Sequence, residues 1–238
     1  MRIAIVNPNS TVAMTDAMLV SAAVVARSDT ELIGLTPARG VPSIESHCDE
    51  VWGSWSVLTE VDRLEAAAAR PDAYVIACFG DTGLPGAREA AEGPVVGMTE
   101  AAIMTAALIA HRFSIITMPR RTLEQSERVL RSLGLAHRCA VHAVDEPVSA
   151  VAHGSLHLLD MFAAAARRSL TEDSSEAIIL GCAGLSDLVE PLGQILGVPV
   201  IEGVAAALTM AEGLVAQSLR TSRMSTWARA ARPPQAVL

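Results

Sequence analysis

Three stretches in the first half of the chain are repeated, in the same order, in the second half. RIAIVNP at 2–8 is matched by RFSIITMP at 112–119, AYVIACFGDTGL at 73–84 by AIILGCAGLSDL at 177–188, and PVVGMTEAA at 94–102 by PVIEGVAAA at 199–207. The offsets are about 110, 104 and 105 residues, and near-constant offsets indicate an internal duplication. The chain should therefore fold as two similar units.

Short apolar runs alternate with longer Ala-rich stretches in both halves. About half of the residues are hydrophobic but only 3% are aromatic, which is typical of parallel strands buried on both faces. We predict an α/β fold of two pseudo-twofold-related lobes, each a four-stranded, mainly parallel sheet flanked by helices, with the active site in the cleft between them. The predicted strands are 2–6, 31–35, 73–77, 95–97, 113–117, 139–144, 177–180 and 198–201.

The repeat also predicts where the lobes divide. We assign residues 1–97 and 205–238 to the first lobe and residues 98–204 to the second. The first assignment includes an apolar C-terminal helix, which we expect to pack back onto the first lobe. The segment after Ser222 is expected to be frayed, because it is polar and ends the chain.

The charge and hydropathy of the chain exclude several classes of protein. A net charge of −8 without a basic cluster gives no footprint for nucleic acid, because phosphate binding relies on grouped cations. The longest apolar stretch, 101–110, has about half the length that a bilayer requires, and the N-terminus carries no evident export signal. We expect a cytoplasmic homo-oligomer that binds a small molecule, with no nucleic acid and no membrane as partner.

Two of the four cysteines occupy equivalent positions in the two repeats. Cys78 and Cys182 each follow a predicted strand and precede a Gly-containing turn, so both should lie at the carboxyl ends of parallel strands, where ligands bind. We expect backbone N–H groups of the following helix to lower the thiol pKa. Two such thiols on opposite faces of one carbon can exchange a proton beside a carbonyl, one as thiolate and one as thiol. Cys48 and Cys139 lack this context and are interpreted as structural.

Histidine patterns offer weaker alternatives. A Cys–His nucleophile requires His47, His111 or His142 to approach a thiol in space, because neither cysteine motif contains a histidine. His153 and His157 have the spacing of two metal ligands on one helix face, but no third ligand accompanies them. We therefore predict no metal site and no cofactor.

Two other patterns are interpreted as structural. The glycines at 80, 83 and 86 lack the Lys of a phosphate-binding loop and surround Asp81, which would repel a phosphate. Trp52 and Trp55 are expected to lie in the core or at an interface.

The chain resembles the aspartate/glutamate/hydantoin racemase superfamily, and most closely its hydantoin and allantoin racemase branch, from about residue 1 to 218. The resemblance is carried by NPNST at 7–11, ARGVPSIESHCDE at 38–50, ACFGDTGL at 77–84, EAA at 100–102, ITMPR at 116–120, LGCAGL at 180–185 and VPVIEGVAAA at 198–207.

The resemblance implies a cofactor-free, two-base mechanism with Cys78 and Cys182 as the bases, and a ring substrate of the hydantoin type. It also implies that a set of turn residues surrounds the substrate. These are Asn9, Ser10, Ser43, Gly80, Asp81, Thr117, Ala183 and Gly184.

Racemisation at C5 of a 5-substituted hydantoin, with allantoin as one candidate, is the function that these observations favour. The glutamate branch usually has a Thr–His pair after its second cysteine, where this chain has Ala183 and Gly184. An aspartate-type amino-acid racemase, a relative of maleate isomerase or arylmalonate decarboxylase, and a small-molecule binding protein without activity stay open as alternatives.

Overall fold

The computed structural model describes residues 1–229, which form two four-stranded sheets. The strand order is β2-β1-β3-β4 in one sheet and β6-β5-β7-β8 in the other, and every pair within each sheet is parallel. The predicted α/β fold with two similar lobes is confirmed. The strands are β1 Arg2–Val6, β2 Glu31–Leu35, β3 Ala73–Ile76, β4 Val95–Gly97, β5 Phe113–Thr117, β6 Cys139–Ala143, β7 Ala177–Gly181 and β8 Val200–Glu202.

Helices connect the strands and cover both sheets. The longer ones are α1 Val12–Val25, α2 His47–Glu65, α3 Leu84–Ala90, α4 Met98–Ile109, α5 Leu123–Ser132, α6 Leu159–Glu172, α7 Val189–Leu196 and α8 Gly203–Ala216. Short 3₁₀ helices lie at Arg120–Thr122, Ala136–Arg138, Val148–Val151, Leu156–Leu158, Ala183–Leu188 and Ser225–Trp227.

The two inner strands of each sheet explain the apolar, aromatic-poor composition. Every residue of β3, β5 and β7 is buried, as are four of the five residues of β1. A strand covered by helices on both faces needs apolar side chains at consecutive positions rather than at alternate ones. This is why the inner strands appear in the sequence as mainly apolar runs.

The fourth strand of each lobe leads into a helix that packs against the other lobe. Helix α4 follows β4 of the first sheet and contacts β7 of the second, whereas α8 follows β8 of the second sheet and contacts β3 of the first. The two helices also pack against each other. One continuous apolar core therefore includes Ile3 and Val75 from the first sheet together with Ile115 and Ile179 from the second.

Residues 223–227 are held against α3 rather than frayed. The Arg223 guanidinium donates hydrogen bonds to the carbonyl oxygens of Arg88 and Glu89, and the Arg88 guanidinium lies 5.9 Å from the centre of the Trp227 ring. The prediction of a frayed tail is wrong for residues 223–227, because these cation contacts anchor them. Residues 230–238, which the same prediction also covers and which end the lobe assignment of 205–238, lie outside the described residues.

Two other predictions concern the surface. Trp52 and Trp55 are 58% and 50% exposed, so the prediction that they lie in the core is wrong, and a role at an interface stays a prediction. None of the helices within residues 1–229 is both long enough and apolar enough to cross a membrane.

Candidate active site

The carboxyl ends of the two sheets meet at a narrow cleft that contains both repeated cysteines. Cys78 lies two residues beyond the end of β3, and Cys182 follows β7 directly. Both thiols line the same cleft. Because β3 and β7 hold the same position in their sheets, the duplication brings the two thiols to the cleft from opposite lobes.

Side chains from opposite lobes meet around the cleft. The Arg128 guanidinium on α5 donates a hydrogen bond to the Glu50 carboxylate on α2, and the two form an ion pair. The Val148 N–H donates a hydrogen bond of 3.1 Å to Oε1 of Glu45. Lobe–lobe contacts thus hold the cleft in a closed arrangement.

The turn after β1 is built by its own asparagines. The buried Asn7 amide donates hydrogen bonds to Oδ1 of Asn9 (3.1 Å) and Oγ1 of Thr15 (3.0 Å), and the Thr11 N–H donates to Oδ1 of Asn9 (2.9 Å). Asn side chains favour tight turns because they satisfy nearby backbone groups in this way. These bonds keep Asn9 in the wall of the cleft.

Thr117 performs a similar role at the end of β5. Its hydroxyl donates a hydrogen bond of 2.9 Å to the carbonyl oxygen of Gly181, the residue before Cys182. A Cβ atom at Gly181 would lie 2.6 Å from Cβ of Thr117, so only glycine fits there without movement of Thr117. Thr117 therefore packs closely against the backbone that leads into Cys182.

The Cys78 loop is attached to the first turn of α4. The Asp81 carboxylate, which is buried, accepts hydrogen bonds from the N–H groups of Thr99 (2.8 Å) and Glu100 (2.9 Å). The Gly80 N–H donates to the Thr99 hydroxyl at 2.7 Å. Asp81 adopts a positive φ of 55° to make these contacts. Its carboxylate is thus directed at α4 and is absent from the wall of the thiol cleft.

The predicted site residues therefore separate into two groups. Asn9, Thr117 and Ala183 line the cleft together with the two cysteines. The other five do not line it, and their contact with a substrate stays a prediction. Ser10 donates a hydrogen bond to the Val41 carbonyl oxygen, Ser43 donates to Glu45, Gly80 and Asp81 bind α4, and Gly184 packs against Val151.

Sequence reasoning missed much of the cleft wall. Met14 and Met18 come from α1, and Thr122, Gln125 and Ser126 come from the equivalent position in the second lobe, at and just before the start of α5. The signal was the duplication itself, since the first helix after the first strand faces the cleft in both lobes. The remaining wall is formed by Ile44, Ala77, Phe79, Met118, Val148 and Gly181.

Burial dominates the electrostatics of the thiols. It raises the pKa of Cys78 to about 12 and that of Cys182 to about 11. Cys182 and Asp81 add to the increase at Cys78, and Glu202 adds to it at Cys182, whereas the Gly184 backbone opposes it there. The expectation of a lowered thiol pKa is wrong for this closed structure, because desolvation of the thiolate outweighs the backbone N–H groups.

The histidines of the alternative Cys–His nucleophile lie elsewhere. His47 and His142 bond to Glu50 and Asp173, and neither they nor His111 line the thiol cleft. Within residues 1–229, no three His, Cys, Asp or Glu side chains are grouped so as to hold a metal ion.

Comparison with known proteins agrees with this geometry. The family model described as Asp/Glu/Hydantoin racemase matches residues 3–211. The hydantoin racemase of Rhizobium meliloti is 40% identical over 229 residues, which cover 96% of this chain and 94% of that protein.

Two solved structures are similar over almost the whole chain. The allantoin racemase from Klebsiella pneumoniae has a TM-score of 0.94 and 41% identity, with coverage of 99% of this chain and 96% of that one. The allantoin racemase from Pseudomonas fluorescens has a TM-score of 0.92 and 36% identity, with full coverage of both chains. The resemblance inferred from the motifs is confirmed, and the chain belongs to the Asp/Glu/hydantoin racemase family.

Proposed function

We propose that this protein is a cofactor-independent racemase that inverts C5 of 5-substituted hydantoins, with allantoin as a candidate substrate, and that Cys78 and Cys182 are its two bases. The observation that carries the proposal is the pair of equivalent thiols, one from each lobe, in the wall of a single cleft. The hydantoin and allantoin racemases among its relatives support the choice of substrate.

The proposed reaction consists of two proton transfers on opposite faces of the ring. One cysteine, as thiolate, takes the proton from C5, and the C–H electron pair moves into the adjacent C4 carbonyl to form an enolate. The other cysteine, as thiol, then gives its proton to C5 from the opposite face as the carbonyl reforms. The cysteines finish with their protonation states exchanged, which prepares the site for the opposite enantiomer.

The charge of the cleft favours a neutral ring over a dicarboxylate or an amino acid. No residue in the described cleft wall carries a basic side chain. The charged groups that raise the thiol pKa values are carboxylates, among them Glu50 at Cys78 and Glu45 at Cys182. A buried substrate carboxylate would lack a cation and face these negative charges, which is costly. This disfavours the aspartate-type racemase and the maleate isomerase and arylmalonate decarboxylase relatives.

The apolar part of the wall suits a variable substituent at C5. Met14, Met18 and Met118 contribute three thioethers to the cleft, and all three side chains are buried. Unbranched methionine side chains adapt to ligands of different shape at little cost. We therefore expect activity with more than one class of 5-substituent.

The first test is racemisation itself, followed by its two half-reactions. Wild-type protein should remove the optical rotation of an enantiopure hydantoin, whereas Cys78→Ser and Cys182→Ser should not, because a serine hydroxyl is too weak an acid to replace a thiolate. In D₂O each variant should still exchange the C5 proton of one enantiomer without inversion, since each enantiomer presents that proton to one thiol. The two variants should prefer opposite enantiomers.

Cys48→Ser is the matched control, since Cys48 is exposed and lies outside the cleft wall, and it should racemise like wild type. A shared enantiomer preference in the two cleft variants would contradict the opposed-thiol mechanism. Binding of a hydantoin by wild-type protein without any proton exchange would instead support the alternative of a binding protein.

A further inference from the structure

One hydroxyl in the wall of the cleft has no partner among residues 1–229. Ser126, on α5, is 1% exposed, and its Oγ makes no hydrogen bond. Among the described residues, buried side-chain polar atoms without a partner occur also at Glu65 and Arg223, but neither residue lies at the cleft. An unpaired buried hydroxyl lowers the stability of a fold, so this one requires an explanation.

Two other buried helical hydroxyls donate hydrogen bonds to backbone carbonyls, as such groups usually do. The Ser169 hydroxyl donates to the Ala165 carbonyl oxygen, one turn earlier in α6, at 3.2 Å. Thr122 donates in the same way to the Pro119 carbonyl oxygen at 2.8 Å. A helical serine normally has this option, but the hydroxyl of Ser126, which lines the cleft, does not use it.

Gln125 adds a second free polar group at the same place. It is 4% exposed, and its side-chain amide makes no hydrogen bond within the described structure. It lies against the Cys78 loop, since a Cβ atom at Gly80 would be 3.1 Å from Cβ of Gln125. The start of α5 therefore contributes a hydroxyl and an amide to the wall of the cleft that contains Cys78.

Other polar groups of the cleft wall are already engaged. The Thr117 and Thr122 hydroxyls donate to backbone carbonyls, and Oδ1 of Asn9 accepts from the backbone. A hydantoin ring brings two carbonyls and two N–H groups that lose water when they enter the cleft. We infer that Ser126 and Gln125 bind this ring, with the Ser126 hydroxyl donating to a ring carbonyl. The inference rests on the proposed function.

The test separates a ligand contact from a structural one. Ser126→Ala removes a hydroxyl that bonds to no described residue, so the variant should melt at or above the melting temperature of wild type. Its kcat/KM should fall about ten-fold, because a ring carbonyl is left without a donor. The loss should be equal for both enantiomers, because the two enantiomers have equal free energy in solution.

Ser169→Ala is the matched control and should show the reverse pattern. It removes a buried helical hydroxyl that does bond to the protein, far from the cleft wall, so it should melt earlier and keep full activity. Gln125→Leu, which preserves size but removes the amide, should lower kcat/KM in the same way as Ser126→Ala.

The outcomes distinguish this inference from the proposed function. If wild-type protein racemises a hydantoin and both α5 variants stay within two-fold of it, the inference fails and the proposed function stands. A melting temperature lowered by more than about 5 °C in Ser126→Ala would show a structural hydroxyl and also overturn the inference. If wild-type protein neither racemises nor binds hydantoins, the proposed function fails and the inference fails with it.

Discussion

Gly97→Ala should damage the half-reaction of Cys78 while the half-reaction of Cys182 continues. Gly97 ends β4 and immediately precedes α4, whose first N–H groups bind the Asp81 carboxylate. A Cβ atom at this position would lie 2.4 Å from both Cγ and Oδ1 of Asp81. The backbone of Gly97 is in an ordinary extended conformation (φ −82°, ψ 141°), so the effect of the substitution is purely steric.

The size of the effect follows from how far Asp81 must move. Non-bonded heavy atoms are most stable at about 3.5–4.0 Å, so the carboxylate has to shift by about 1 Å or more. Overpacking of this kind costs about 1–3 kcal/mol in unfolding free energy. For a chain of this length it corresponds to a melting temperature lowered by roughly 2–12 °C. Because Asp81 lies three residues after Cys78, the shift should also displace that thiol.

The assay combines Gly97→Ala with each cysteine variant. In Cys182→Ser, deuterium exchange at C5 relies on Cys78 as base. Adding Gly97→Ala to this variant should reduce the exchange rate at least about ten-fold, because a misplacement of a catalytic group by about 1 Å has effects of that size. In Cys78→Ser, exchange relies on Cys182 and should change less than two-fold. Gly213→Ala is the control, because Gly213 lies inside α8 with no atom within 4 Å of the added Cβ. It should stabilise the fold by about 0.5–1 kcal/mol. Equal losses in both cysteine backgrounds would refute the positioning of Cys78 by Asp81.

Two more expectations follow from the burial of the thiols. After subtraction of spontaneous racemisation, kcat/KM should rise about ten-fold per pH unit between about pH 7 and 9. The reason is that the thiolate fraction of a group whose pKa is raised to about 11 grows at that rate in this range. A plateau of kcat/KM below pH 8 would instead show a thiol pKa near neutrality. With iodoacetamide at neutral pH, exposed Cys48 should be alkylated first, without loss of activity. Cys78 and Cys182 should be alkylated more slowly, and activity should be lost at that slower rate. Substrate should protect these two thiols from alkylation. Peptide mapping that finds Cys78 labelled before Cys48 would contradict this order.

The strands and the cysteine pair could be predicted because their signals are local. An inner strand such as β7 needs consecutive apolar residues, and these produce a run that is visible without any knowledge of its neighbours. The duplication then assigned each run to an equivalent place in one of two sheets. Cys78 and Cys182 were recognised in the same way, since position after a strand is itself a sequence feature.

The directions of polar side chains could not be predicted in this way. Asp81 and Ser43 lie in motifs that suggest a ligand, yet Asp81 binds the N–H groups of α4 and Ser43 donates to Glu45. Turn residues of these types satisfy either a ligand or nearby backbone, and the choice is decided by φ and by elements distant in sequence. The same is true of Ser126, whose proposed role rests on the absence of a hydrogen bond to any described residue.

The thiol pKa depends on burial, which cannot be read from a sequence. The fact that burial raises this pKa also has a consequence for the proposed mechanism. A pKa of about 11 or 12 leaves little thiolate at neutral pH, but a thiolate with a high pKa is the stronger base once it forms. Racemisation also requires that the two cysteines exchange roles in every turnover, so neither can be permanently the acid. Cys182 is buried and Cys78 is partly exposed, but desolvation raises the pKa of both thiols, and a carboxylate adds to the increase at each, Asp81 at Cys78 and Glu202 at Cys182. The proposed two-base reaction between enantiomers of equal energy requires bases of comparable strength, and the duplication favours such a pair.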